Sequence, residues 1–366
     1  MKKIRAIGLA ALAAVWLVLV AGAWLGQPQD ISESERRKLA QFPELTVDTV
    51  LGGKFMTNFE DYTLDQFPLR DTFRQIKALF HYNALMQKDN NGIYIADGYA
   101  AELEYPLDQT SVSNASQKLN LIYEKYLQDT GSKIILSVVP DKGYYLAEEN
   151  GYPAMDYEAL TEQIRRGTPW AEFVDITDLL TSEDYYFTDT HWRQECIEDV
   201  AVRLCEALGT AAFQNGELTQ KPVERPFYGV YYGQAALPMK SETMHVLTNG
   251  LLDGCTVYNH ETGATTQVYD MEKLTSRDLY DIYLSGAAAL LTIENPAAET
   301  DRELIVFRDS FGSSLVPLLI KDYKTVTVVD IRYLATDYVG NFVDFHGQDV
   351  LMIYSTLVLN SSDTLK

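Results

Sequence analysis

Only three of the 366 residues are cysteine (Cys196, Cys205 and Cys255), so no disulfide framework holds this chain together. Cys196 and Cys205 are expected on one helix, roughly 13 Å apart at about 1.5 Å per residue, too far to bridge. Cys255 could pair with either, although buried free thiols are the simpler expectation. Basic residues are scarce too: 30 Lys and Arg face 52 Asp and Glu, a formal net charge of −22. Such a field repels nucleic acid and disfavours an extended anionic ligand, but leaves a neutral glycan unaffected. His81, His245, His260 and His346 are scattered, with no cluster at metal-ligand spacing. No glycine-rich phosphate loop is present either. Neither a metal nor a nucleotide cofactor is expected.

Long apolar runs are confined to the start. Lys2, Lys3 and Arg5 precede an uncharged stretch from Ala6 to Leu25. As a helix it spans roughly 30 Å, the hydrocarbon thickness of a bilayer. Basic residues on the short side keep that end inside and send the remainder outward. Residues 1–26 are therefore read as a single-pass anchor. A removed signal peptide is the alternative, because Ala21-Gly22-Ala23 resembles a cleavage site. Either choice puts the remaining chain outside the membrane.

Beyond the anchor, residues 27–90 read as a polar linker followed by helical spacing over Phe55–Phe67 and Leu69–Met86. In the second helix Phe73, Ile76, Phe80 and Ala84 share one face. Asn91–Tyr99 reads as a hairpin turning at Asp97-Gly98. A helix over about 112–129 leads to the strand 133–140, whose continuous apolar character implies burial on both faces. A further helix is expected from about Arg193 to Leu208. Residues 210–300, rich in Tyr, Thr and Gly with alternating stretches, read as an antiparallel insertion or a strand-rich flank. The carboxy-terminal part returns to strands at 304–309, 325–331 and 349–354, separated by helical segments. The fold class is a three-layer α/β/α domain, interrupted in its middle.

One serine stands where a hydrolase nucleophile would. Ser310 follows the strand-like run Leu304–Phe307 and precedes Gly312, at the opening of a helix. A serine hydroxyl needs a neighbouring base, and a histidine fixed by a carboxylate supplies one near neutral pH. Asp189 and His191, two apart in Asp189-Thr190-His191-Trp192, can present both side chains to one side of a loop. Chain order does not matter, because such sets are recognised by geometry. Each residue also has a plainer use: Asp309-Ser310 could cap the next helix, as could Asp189, and His191 could be an ordinary core histidine.

The combination resembles the SGNH-hydrolase-like branch that contains the alginate O-acetyltransferases and the bacterial DHHW proteins. Four features carry the resemblance. They are Glu35–Pro43 with Phe67-Pro68-Leu69-Arg70-Asp71, the Gly92-Ile93-Tyr94 hairpin, Val139-Pro140-Asp141-Lys142 after a strand, and the Asp-x-His-Trp with Asp-Ser-Phe pair. It implies that Ser310, His191 and Asp189 form the catalytic set. Thr190 stands where the DHHW name implies histidine. Arg308 replaces the glycine usual in the acetyltransferases, which makes the approach to Ser310 more crowded or more cationic. Ala287 stands where an oxyanion-binding asparagine is looked for, which leaves Gly229, Arg332 and Tyr333 as substitutes. Lys142 matches a family position at a strand's carboxyl end, where ligand-contacting residues gather. Its alternative is an exposed lysine. Tyr144, Tyr145, Tyr231 and Tyr232 could stack on sugars.

The function implied is an extracytoplasmic O-acetyltransferase that moves acetyl through Ser310 onto an exported polysaccharide or cell-wall glycan. Acetyl would be supplied across the membrane by a multi-pass O-acyltransferase partner. A carbohydrate acetyl esterase shares the acyl-enzyme and differs only in its second nucleophile. A silent envelope protein that binds or assembles glycan is the non-enzymatic alternative.

Overall fold

Asp97 and Gly98 both take positive φ, 51° and 87°, the geometry of a tight two-residue turn. They join β1 (Ile93–Ala96) to β2 (Tyr99–Glu102) in an antiparallel hairpin. In chain order there follow β3 (Ile134–Val139), β4 (Glu172–Phe173), β5 (Thr219–Phe227), β6 (Glu242–Thr248), β7 (Thr256–Asn259) and β8 (Thr265–Gln267). The last four are β9 (Leu290–Glu294), β10 (Glu303–Arg308), β11 (Thr325–Val329) and β12 (Asp349–Ser355). The computed structural model describes all residues except Met1, Glu33 and Asn215, and all side chains of the rest except Lys2 and Trp24. The Lys2 charge of the basic flank thus lies outside the described residues.

Among those residues, eight strands make one sheet in the order β8-β7-β9-β11-β10-β12-β3-β4. The five from β11 to β4 run parallel, while β7, β8 and β9 are joined antiparallel. The parallel strands are apolar on both sides because both sides are covered. Leu304 and Val306 of β10 point into one core, with Val200, Leu204 and Leu208 of a helix at Glu198–Leu208. Ile305 and Phe307 point into the other, with Val112 and Leu119 of the helix Gln109–Ile122 and Leu160 of the helix Tyr157–Gly167. Helix, sheet and helix therefore form three layers.

The region 210–300 divides between its two expected forms: β5 and β6 pair with each other, whereas β7, β8 and β9 flank the main sheet and extend it. Their Thr, Val and Tyr alternation reveals a wet face but does not say which strand is the neighbour. The helix expected from Arg193 begins at Glu198, after a 3-10 turn over Gln194–Cys196. Gln194 breaks the pattern because its buried amide bonds to Ser314 O (2.8 Å) and accepts from Leu247 N (2.8 Å). Cys196 therefore lies outside the helix of Cys205. All three thiols are free, and burial pushes each up to about 11.

Two compact units divide the chain: Met1–Asn91 with Tyr232–Met239, and Gly92–Tyr231 with Lys240–Lys366. The first holds α1 (Lys2–Leu25), α2 (Val47–Leu51), α3 (Lys54–Asp65) and α4 (Arg70–Asn83). Residues 3–23 of α1 form a helix long and apolar enough to cross a membrane or act as a signal sequence. The motif residues of this unit pair with one another. Arg37 grips Asp65 at 2.5 Å, and Glu35 is bound by Arg70 and, at 3.2 Å, by Arg74.

Candidate active site

The second unit gathers the candidate residues at the carboxyl ends of its parallel strands. β10 runs into Asp309-Ser310-Phe311 and then α5 (Gly312–Leu319), a wholly buried helix. The turn is held by Asp309, whose Oδ1 accepts from Phe311 N (3.0 Å) and whose Oδ2 accepts from Ser355 N at the end of β12 (2.7 Å). Asp309 thus fixes the loop to the neighbouring strand and does not cap the helix. Glycine is needed at 312, because a Cβ there would meet Arg308 Cβ at 2.7 Å. Ser310, half-buried, is left at the rim.

Opposite it, residues 184–193 fold back on themselves. Tyr185 bridges Trp192, Tyr186 N donates to His191 O (3.1 Å), and Arg193 N donates to Asp184 O (2.7 Å). At the tip Asp189 Oδ1 accepts from His191 N (3.1 Å) and lies 2.5 Å from His191 Nδ1. Asp189 Oδ2 accepts from Val230 N at 2.9 Å. His191 Nε2 then lies 2.8 Å from Ser310 Oγ, across 119 residues of sequence. With the Nδ1 proton on the aspartate side, Nε2 is free to accept from the serine hydroxyl. Folding has brought the three predicted residues into one hydrogen-bonded series.

Two further aromatic side chains hold this series in place. Tyr280 stacks on the His191 ring at 3.9 Å with planes 8° apart, and its hydroxyl donates to Ser314 Oγ (2.8 Å). The fully buried Trp192 donates its Nε1–H to Phe311 O (3.1 Å) and Ser314 Oγ (3.0 Å). The histidine loop is thereby tied to the residue after Ser310. Only Trp192 carried a sequence signal, as part of Asp-x-His-Trp. Tyr280 had none.

The other predicted residues are placed differently from expectation. Gly229 donates its N–H to Thr188 Oγ1 (2.8 Å) and so is not free to bind an oxyanion. It is a packing position instead, since a Cβ there would lie 2.3 Å from Asp189 Cα and Cβ. Gly229→Ala should therefore displace Asp189 and lower turnover of an activated acetyl ester by about 100-fold, the usual cost of misplacing a catalytic group. A variant with parental kcat/KM would contradict that role.

Arg308 does not crowd Ser310. Its stem passes beneath Gly312, and its buried guanidinium ends beside Asp309 O, Gly286 O and, at 3.8 Å, Asp330. Arg332 is clamped on the same Asp330 through Nε (2.9 Å) and Nη2 (2.6 Å), and its guanidinium lies over the Tyr333 ring. Neither Arg332 nor Tyr333 is bonded to Ser310. Among the described residues no group accepts from the Ser310 N–H, which leaves that donor for an oxyanion.

Lys142 is neither exposed nor turned toward a ligand. It is buried, with Nζ donating to Ala100 O and Tyr186 O and sitting 5.2 Å above the Tyr231 ring. Through Tyr186 it clamps the histidine loop onto β2. Tyr231 is buried by this contact and so cannot stack on a sugar, while Tyr144 stays exposed and Tyr145 and Tyr232 partly so. Burial pulls the Lys142 pKa down to about 7, against the attraction of Asp189, Glu242 and Asp141. An unfolded lysine titrates near 10.4, so between about pH 7 and 10 the unfolded chain binds more protons and stability rises with pH. Urea unfolding at pH 7 and pH 9 should show that gain in the parent and lose part of it in Lys142→Met.

No protein-family model matches the chain, and no curated protein matches it either. Solved structures do. A DHHW family protein from Eubacterium siraeum superposes with a TM-score of 0.60 at 22% identity, covering 75% of this chain and 94% of that one. Bacillus cereus PatB1, solved with a sulfonyl adduct, gives 0.58 at 15% identity over 73% of this chain and 95% of its own. This chain has the fold of the DHHW family protein and of PatB1.

Proposed function

We propose that this protein is an extracytoplasmic serine O-acetyltransferase acting on an exported polysaccharide or cell-wall glycan. The observation that carries the reading is the series Asp189–His191–Ser310, with Nε2 at 2.8 Å from the hydroxyl, at the rim of an α/β/α sheet. Ser310 Oγ attacks the acetyl carbonyl while His191 Nε2 takes its proton. Asp189 stabilises the imidazolium that forms. The tetrahedral oxyanion is met by the unpartnered Ser310 N–H. Collapse returns the proton to the leaving group and leaves acetyl on Ser310. A sugar hydroxyl, deprotonated by the same nitrogen, then takes the acetyl and regenerates the serine.

α1 acts as an uncleaved anchor in this reading. It holds the domain beside a multi-pass O-acyltransferase that delivers acetyl across the membrane. The test uses the full chain in detergent with an activated acetyl ester, with and without glycan oligosaccharides. Acetylated glycan supports transfer. Free acetate alone, unchanged by glycan, makes the protein an esterase. No ester turnover at all leaves only a silent envelope role. Because a sulfonyl adduct exists for PatB1, a sulfonyl fluoride is the natural trap, and it should block turnover in proportion to labelling.

A further inference from the structure

α4 is an amphipathic helix turned inside out. Leu69, Phe73, Ile76 and Phe80 fall on one stripe at helical spacing and are 68, 43, 56 and 55% exposed. The polar side is the one held by protein. Arg70 and Arg74 bind Glu35, Arg74 also donates to Gly233 O (2.7 Å), and Ala78, the buried residue of α4, lies opposite the stripe. In water such an arrangement forfeits the burial that normally stabilises a helix.

The exposure is local. Residues 42–86 present fourteen large apolar side chains to solvent among the described residues, all of them Phe, Leu, Val, Ile or Met. In the whole second unit every such exposed residue is a tyrosine except Phe187, Met271 and Phe342. The start of α4 also lies against the end of the candidate span: a Cβ on Gly22 would be 3.1 Å from Pro68 Cγ. Leu69 therefore sits at the height where α1 would leave the hydrocarbon.

We infer that the stripe Leu69–Phe73–Ile76–Phe80 is a membrane-seating surface that lies in the outer headgroup and acyl boundary beside α1. The inference rests on the anchor reading of α1. Its occupant is the lipid bilayer, because the stripe is uncharged, abuts the span and belongs to a region that, among the described residues, exposes fourteen large apolar side chains, no tyrosine among them. Seating α4 this way fixes the anchored unit against the membrane plane instead of leaving it on a free tether.

The test places single cysteines in the full chain, with Cys196→Ser removing the one thiol that is not buried. Ile76→Cys and Phe80→Cys carry a polarity-sensitive fluorophore, with Leu12→Cys inside α1 and Tyr338→Cys on the second unit as references. The proteins are reconstituted into phosphatidylcholine vesicles containing nitroxide-labelled lipid and no other protein. Labels at 76 and 80 should shift to the blue and be quenched by the lipid nitroxide, as at 12, while 338 stays in water. Water-exposed labels at 76 and 80 with a quenched label at 12 would overturn the inference and leave that face for a protein partner. An unquenched label at 12 would remove the anchor reading itself, and this surface with it.

Discussion

Ser310→Ala is expected to lower kcat/KM for an activated acetyl ester by roughly six orders of magnitude, the scale seen when one member of such a set is removed. His191→Ala should cost about as much, and the double variant little more, because the residues act as a unit. The fold should survive the serine change. Asp309, not Ser310, holds the turn, through Phe311 N and Ser355 N, and the hydroxyl bonds to the imidazole. Thermal unfolding of the Ser310→Ala variant should therefore stay near that of the parent. Ester turnover within tenfold of the parent would place the chemistry elsewhere.

Asp189→Asn should cost about 10⁴-fold in turnover, for a reason that the hydrogen bonds make explicit. Asp189 accepts from His191 N, His191 Nδ1–H and Val230 N. An amide has one oxygen and one NH2, so it cannot satisfy both ends of this arrangement. With NH2 toward the ring, Nδ1 must accept and Nε2 carries the proton, which is the wrong tautomer for a base, and the His191 N–H faces a second donor. With NH2 toward Val230, the Val230 N–H does so instead. Either orientation costs about 1–3 kcal/mol in urea unfolding, and ester kinetics tells the two apart, because the first predicts an inactive variant. A variant unchanged in both would show that the carboxylate does not hold the imidazole.

Much of this was readable from residue types alone. Leu304–Phe307 is apolar at every position, as a strand covered on both faces must be, and Asp97-Gly98 supplies the positive φ that its turn requires. The trio 189, 191 and 310 is legible as a candidate set because a serine nucleophile needs those residue types and their combination resembles a known family pattern. What escaped the sequence was set by contacts between distant segments. Tyr280 carries no motif and is found only through its stack on His191. Gly229 is expected to offer its N–H to an oxyanion, whereas the structure commits that N–H to Thr188 and uses the missing Cβ to admit Asp189. Lys142 was read as facing a ligand or water because lysine rarely enters a core. Here two carbonyls accept from its Nζ, which offsets part of the cost of burying it. The late start of the helix at Glu198 has the same cause, since buried bonds of Gln194 override local propensity.

All of these residues matter only if acetyl resides on one oxygen during turnover. The direct measurement mixes the full chain with an activated acetyl ester, quenches it in acid within the first turnover and maps the acetylated peptide by mass spectrometry. Acetyl should appear on the peptide bearing Ser310 and on no other at that time, and its yield should collapse in His191→Ala. Steady ester turnover with that peptide unmodified, or with the acetyl on another side chain, would contradict the assignment of Ser310 as nucleophile.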